Sequence, residues 1–70
     1  MDREMLGRFI AQRRKELNLT QRELAEALHV TDKAVSKWER GLSYPDVTLM
    51  EPLAVVLGVG VEELLTCRRK

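Results

Sequence analysis

Between Val30 and Gly41 the chain reads VTDKAVSKWERG, and within it Lys33, Lys37 and Arg40 recur at intervals of four and three residues. On a helix at about 100° per residue, Asp32, Lys33, Ser36, Lys37 and Arg40 fall inside an arc of roughly 140°. Thr31, Ala34, Val35 and Trp38 fall opposite. A segment patterned this way docks an apolar back on a core and turns a front of three cations outward. Such a front is either an ordinary solvated surface or an array of hydrogen-bond donors for an anion.

The residues upstream weigh on that choice. Thr20-Gln21-Arg22-Glu23 is a capping box, in which a threonine hydroxyl and a glutamate carboxylate satisfy each other's backbone amides. It opens a short helix lined by Leu24, Ala25 and Leu28 that stops near His29. Thr31 is the next N-cap, with Asp32 in the following first turn. Two short helices joined only by HVT cross steeply and leave the second helix's front protruding, the geometry that enters a DNA major groove. Reversal at His29 calls for a positive φ, which histidine tolerates better than most residues.

Glu39 lies at the border of the apolar face, where an unpaired carboxylate costs several kcal/mol. The first helix supplies Arg13 and Arg14 in register with its own apolar residues, and a planar guanidinium suits a bidentate pair. The expectation is an internal Arg14–Glu39 salt bridge.

No chemistry of bond-making is legible. There is no second histidine, no His/Cys/acid cluster, no glycine-rich phosphate loop, and Ser36 has only lysines beside it. An enzyme is not expected, nor a cofactor or metal. Cys67 is the only cysteine and reads as an incidental thiol, which suits a reducing cytoplasm.

Seventy residues with 44% hydrophobic and 33% charged side chains describe one small globular domain. No apolar run approaches the roughly 18 residues a membrane span needs, and no signal-peptide pattern opens the chain. Net charge is +1, but its distribution is uneven. Residues 1–40 hold nine Lys/Arg and seven Asp/Glu, while residues 41–67 hold four acids and no Lys/Arg. Arg68-Arg69-Lys70 is a basic tail, so the domain is read as residues 1–67 with a tail at 68–70. A polyanion should therefore meet the first 40 residues.

The remaining elements follow from spacing. Leu6, Ile10 and Leu17, with Phe9 beside them, predict a first helix from about Asp2 to Leu17. Gly41 stops the cation-bearing helix. A fourth helix is predicted from about Asp46 or Thr48 to Leu57; Thr48-x-x-Glu51 is a second capping box, and a start there, after an irregular or 3₁₀-like turn at Asp46–Thr48, keeps Pro52 near the beginning. Gly58 closes it, and Val61 to about Thr66 is a last short helix. The fold class is all-α, a compact five-helix bundle.

From Leu6 to Leu65 the chain resembles the Cro- and phage-repressor-type helix-turn-helix domains, the XRE family, through RRKELNLTQRELAEALHVTDKAVSKWERGLSYPD and LAVVLGVGVEELL. The resemblance implies a lambda-repressor-like fold and binding of a double-stranded DNA operator. It implies that Asp32, Lys33, Ser36 and Lys37 read bases, that Gln21, Thr31 and Arg40 touch phosphates, and that Arg14 and Glu39 form the internal salt bridge. His29 replaces the family's usual glycine, and Gly60 its usual Ser or Thr.

The resulting expectation is a sequence-specific transcriptional regulator, a repressor rather than an activator. Useful specificity calls for two copies on a near-palindromic site, with Val61, Leu64 and Leu65 as dimer contacts or, equally, as core closers. The alternative is an antitoxin or adaptor-type module that holds an unknown protein partner through Leu42 and Tyr44.

Overall fold

A computed structural model of the chain describes residues 2–68, so Arg69 and Lys70 of the basic tail lie outside the described residues. Five α-helices and one 3₁₀ turn make up the regular structure: α1 (Arg3–Glu16), α2 (Gln21–Leu28), α3 (Asp32–Glu39), a 3₁₀ turn (Val47–Leu49), α4 (Met50–Leu57) and α5 (Val61–Thr66). No strand occurs among the described residues.

Local chemistry sets most of the boundaries. Asp2 caps α1 by accepting from the Glu4 amide at 2.7 Å. At α2 both halves of the capping box form, Glu23 N–H to Thr20 Oγ1 at 3.0 Å and Thr20 N–H to Glu23 Oε1 at 2.8 Å. Thr31 Oγ1 accepts from the Ala34 amide at 3.2 Å and starts α3. His29 adopts φ 59° and ψ 39°, the left-handed conformation that the three-residue reversal requires, and the Val30 amide closes the turn on the Ala25 carbonyl at 3.0 Å.

The start of α4 differs from expectation. Thr48 does not cap it. Asp46 Oδ1 instead accepts from both the Thr48 amide (2.9 Å) and the Thr48 hydroxyl (2.8 Å), spending that hydroxyl as a donor. These bonds hold the Asp46 carboxyl below its ordinary pKa. The chain enters a 3₁₀ turn, and α4 begins only at Met50. Pro52 then falls in the first turn, where an amide has no intrahelical acceptor to lose.

Leu6, Ile10, Leu24, Val35, Leu53, Leu57 and Leu64 are fully buried, and Trp38 closes the core from α3. Leu64 is thus a core residue and is corrected as a dimer contact: its side chain is inside, while Val61 and Leu65 are exposed. Between α1 and α4, Arg13 Nε donates to the Leu57 carbonyl at 2.7 Å, which satisfies one of the last carbonyls of α4 with a positive charge.

α1 and α3 approach each other closely at Gly7. A Cβ built on Gly7 would stand 2.3 Å from the Trp38 carbonyl oxygen and 2.9 Å from that of Glu39. Glycine in a helix interior normally costs about 1 kcal/mol relative to alanine, and here it is retained because nothing larger fits. Gly7→Ala should therefore destabilise the domain by about 1–3 kcal/mol despite alanine's better propensity. Urea unfolding checks this, and an unchanged or higher midpoint would show that α1 can shift outward freely.

Candidate nucleic-acid interface

The back of α3 is in the core, since Val35 and Trp38 are buried and Ala34 packs against them. That fixes where the opposite face points. Thr31, Asp32, Lys33, Lys37 and Arg40 are exposed and Ser36 is half-buried. Arg13–Glu16, Arg14–Glu39 and Arg22–Glu26 are the ion pairs seen among the described residues, and none involves Lys33 or Lys37. The two ammonium groups are therefore free to meet an external acceptor. Arg40 leans back along its own helix, its Nε donating to the Ser36 carbonyl at 3.3 Å.

Behind this face lies a polar junction of three helices. Arg14 Nε donates to Glu39 Oε2 at 2.6 Å and Arg14 Nη2 to Glu39 Oε1 at 3.0 Å. The third nitrogen, Nη1, donates to the Leu19 carbonyl at 2.7 Å, in the link between α1 and α2. The side chains of Arg14 and Glu39 are only 11% and 8% exposed. Hydrogen bonding to Glu39 raises the Arg14 pKa against the opposing effect of burial, so the guanidinium stays charged. No buried side-chain nitrogen or oxygen among the described residues lacks a partner.

Gln21 belongs to the same junction, with its Nε2 donating to Glu39 Oε1 at 2.9 Å. One of its two amide protons is thereby committed inward. Neither helical periodicity nor the capping-box pattern signals this contact, because it joins the first residue of α2 to the last residue of α3. Gly7 was missed likewise, although a glycine inside an otherwise ordinary helix is a hint of close approach.

Thr31 uses its hydroxyl oxygen as an acceptor for the α3 cap, which leaves the O–H free to donate outward. Base-edge candidates on α3 and phosphate candidates at the starts of α2 and α3 and just past the end of α3 thus sit on one packed pair of helices. Away from this face, no cluster of three His, Cys, Asp or Glu side chains capable of holding a metal occurs among the described residues. Burial pushes the Cys67 thiol pKa up, against thiolate reactivity. No helix is long and apolar enough to cross a membrane among the described residues.

Comparison with known proteins places this geometry in context. The sequence profile of the helix-turn-helix family matches residues 10–64. Over 49 residues the chain is 43% identical to the transcriptional activator BcrR of Enterococcus faecalis, covering 70% of this chain and 24% of that protein. The chain therefore spans about a quarter of that relative's length. Its structure is similar to that of the clp gene regulator ClgR of Corynebacterium glutamicum, with a TM-score of 0.84 and 34% identity over 91% of this chain and 68% of that one. It is also similar to the P22 c2 repressor in complex with a synthetic operator, with a TM-score of 0.80 and 30% identity over 84% and 89% of the two chains. The same fold occupies part of an enzyme, the hydroxypropylphosphonic acid epoxidase of S. wedmorenis, with a TM-score of 0.81 and 25% identity over 90% of this chain but 34% of that one.

The Arg14–Glu39 pair should carry much of the rigidity of the α2–α3 unit. Glu39→Ala should cost about 3 kcal/mol, because it strands a buried guanidinium. Chemical denaturation measures the loss, and a change below about 0.5 kcal/mol would class the pair with exposed ones.

Proposed function

The chain belongs to the helix-turn-helix family, and from that premise we propose that it is a sequence-specific regulator of transcription that lays α3 in the major groove of an operator. The observation that carries this is the division of α3 into two faces. Val35 and Trp38 are buried, while Lys33 and Lys37 are exposed and unpaired with any described acid. Two ammonium groups on a protruding helix are matched by acceptors on base edges, and the major groove is wide enough to admit the helix.

In this reading Asp32, Lys33, Ser36 and Lys37 contact bases. Gln21, through its second amide proton, Thr31, through its hydroxyl, and Arg40 contact phosphates and set the register. Arg14 and Glu39 position α2 and α3 and touch no DNA. The unit that does this is residues 1–67, with the basic tail from residue 68 outside it. The reading does not include catalysis, and this chain covers only 34% of the epoxidase that shares the fold.

One copy reads only a few base pairs, so we assign a homodimer on a near-palindromic site, with Val61 and Leu65 on the exposed side of α5 as its contacts. Repression is the proposed outcome, because occupancy of a promoter suffices for it; the named activator among the relatives makes a reporter assay the arbiter. We assign it to the cytoplasm, a location that a DNA ligand supports. The exposed Leu42 and Tyr44 favour one second reading, a module that grips a protein partner through this loop.

Four measurements separate these ideas. Selection from randomised duplexes should return a site with two-fold symmetry. On that site Lys37→Ala should lose binding by about tenfold or more, with a much smaller loss on random duplex; equal losses would move Lys37 to the backbone. Binding should weaken steeply with added salt, whereas an apolar grip on a protein would not. Sedimentation should show dimer on the selected site, and strict one-to-one binding would remove the dimer.

A further inference from the structure

The close approach of α1 to α3 creates a cleft beside the front of α3. It has a volume of about 190 Å³ and is lined by Glu4 and Arg8 of α1 and by Glu39 and Arg40 at the end of α3. Two arginines from different helices therefore converge on one small opening at the edge of the proposed DNA-binding face. Neither forms an ion pair among the described residues.

The acids in the cleft compensate them only in part. Both oxygens of Glu39 are spent, Oε2 on Arg14 and Oε1 on Arg14 and Gln21. Its charge is balanced inside the molecule. The stem of Glu4 lies over Gly41, where a Cβ would stand 3.0 Å from Glu4 Cγ. That leaves one exposed carboxylate opposite two exposed guanidiniums. Arg40 has its Nε turned onto the Ser36 carbonyl, which leaves its two terminal nitrogens for another acceptor.

We infer that Arg8 and Arg40 together clamp a backbone phosphate of DNA at the C-terminal end of α3, extending the contact surface onto α1. The inference rests on the reading of α3 as the groove-binding helix. A phosphate oxygen pair suits two planar guanidiniums, each able to donate through two N–H groups. Gly7 is what brings Arg8 there, since any side chain at residue 7 would push α1 off the Trp38 and Glu39 carbonyls. The contact carries no base information, so its contribution is to affinity and register.

The test is the salt dependence of DNA binding by the whole chain and its Arg8→Ala and Arg8→Lys variants, on the selected site and on random duplex. A lost phosphate contact lowers the slope of log K against log salt by about 0.9 and weakens binding about eightfold at 0.1 M salt. Arg8→Ala should show this loss equally on both duplexes, and Arg8→Lys should restore the slope. Arg8 is exposed, so thermal unfolding should be unchanged in both variants. Unchanged affinity and slope in Arg8→Ala, while Lys37→Ala still loses the selected site, would overturn the clamp and leave the reading of α3 intact. A loss confined to the selected site would overturn it as well, making Arg8 a base contact or a positioning residue. Failure of the unaltered chain to bind any duplex would sink the α3 reading first.

Discussion

A carboxylate at the edge of a hydrophobic core has to be answered, and the answer at Glu39 organises this domain. Arg14 of α1 approaches it through two nitrogens, Gln21 of α2 through a third hydrogen bond, and the remaining Arg14 nitrogen reaches the Leu19 carbonyl. Three helices and one link meet on a single charged pair. A buried pair of this kind adds little net stability over apolar packing, but breaking it is costly because the surviving charge stays desolvated. Its physical effect is therefore geometric: alternative placements of α2 and α3 against α1 leave a charge unpaired.

That constraint divides labour within α3. The buried side, through Val35, Trp38 and the Glu39 carboxylate, holds the helix in place. The exposed side, from Asp32 to Arg40, takes no part in the core or in any ion pair among the described residues. Substitutions on the front would therefore alter the proposed recognition without passing through stability, and those on the back alter stability first. Gly7 belongs to the second class although it lies on another helix, since its missing side chain sets how near α1 sits to α3.

The second half of the molecule has the opposite character. It carries acids and no Lys/Arg from residue 41 to 67, and its exposed hydrophobic residues include Val47, Val55, Val61 and Leu65. In the proposed reading, this side repels phosphates, which approach through α2, α3 and the adjoining edge of α1. In that reading, electrostatics orients the domain on a polyanion before any specific contact forms.

Features closed over a few residues were legible in the sequence. The Thr20–Glu23 box, the Thr31 cap, the positive φ at His29 and the stop at Gly58 each depend on partners within five positions along the chain. The two faces of α3 follow from periodicity, and the Arg14–Glu39 pairing from the cost of leaving a buried charge alone. Other features required the packed molecule. Thr48 and Asp46 are both competent caps, and the entry into α4 selected Asp46. Leu64 and Leu65 are the same residue type one position apart, and only the placement of α5 on the core buries one and exposes the other. Gln21 meeting Glu39, Gly7 meeting two carbonyls and Arg8 sharing a cleft with Arg40 all involve residues far apart in sequence. Local hydrogen bonds and periodicity are properties of a segment, whereas such contacts exist only once independent helices have been fixed against one another.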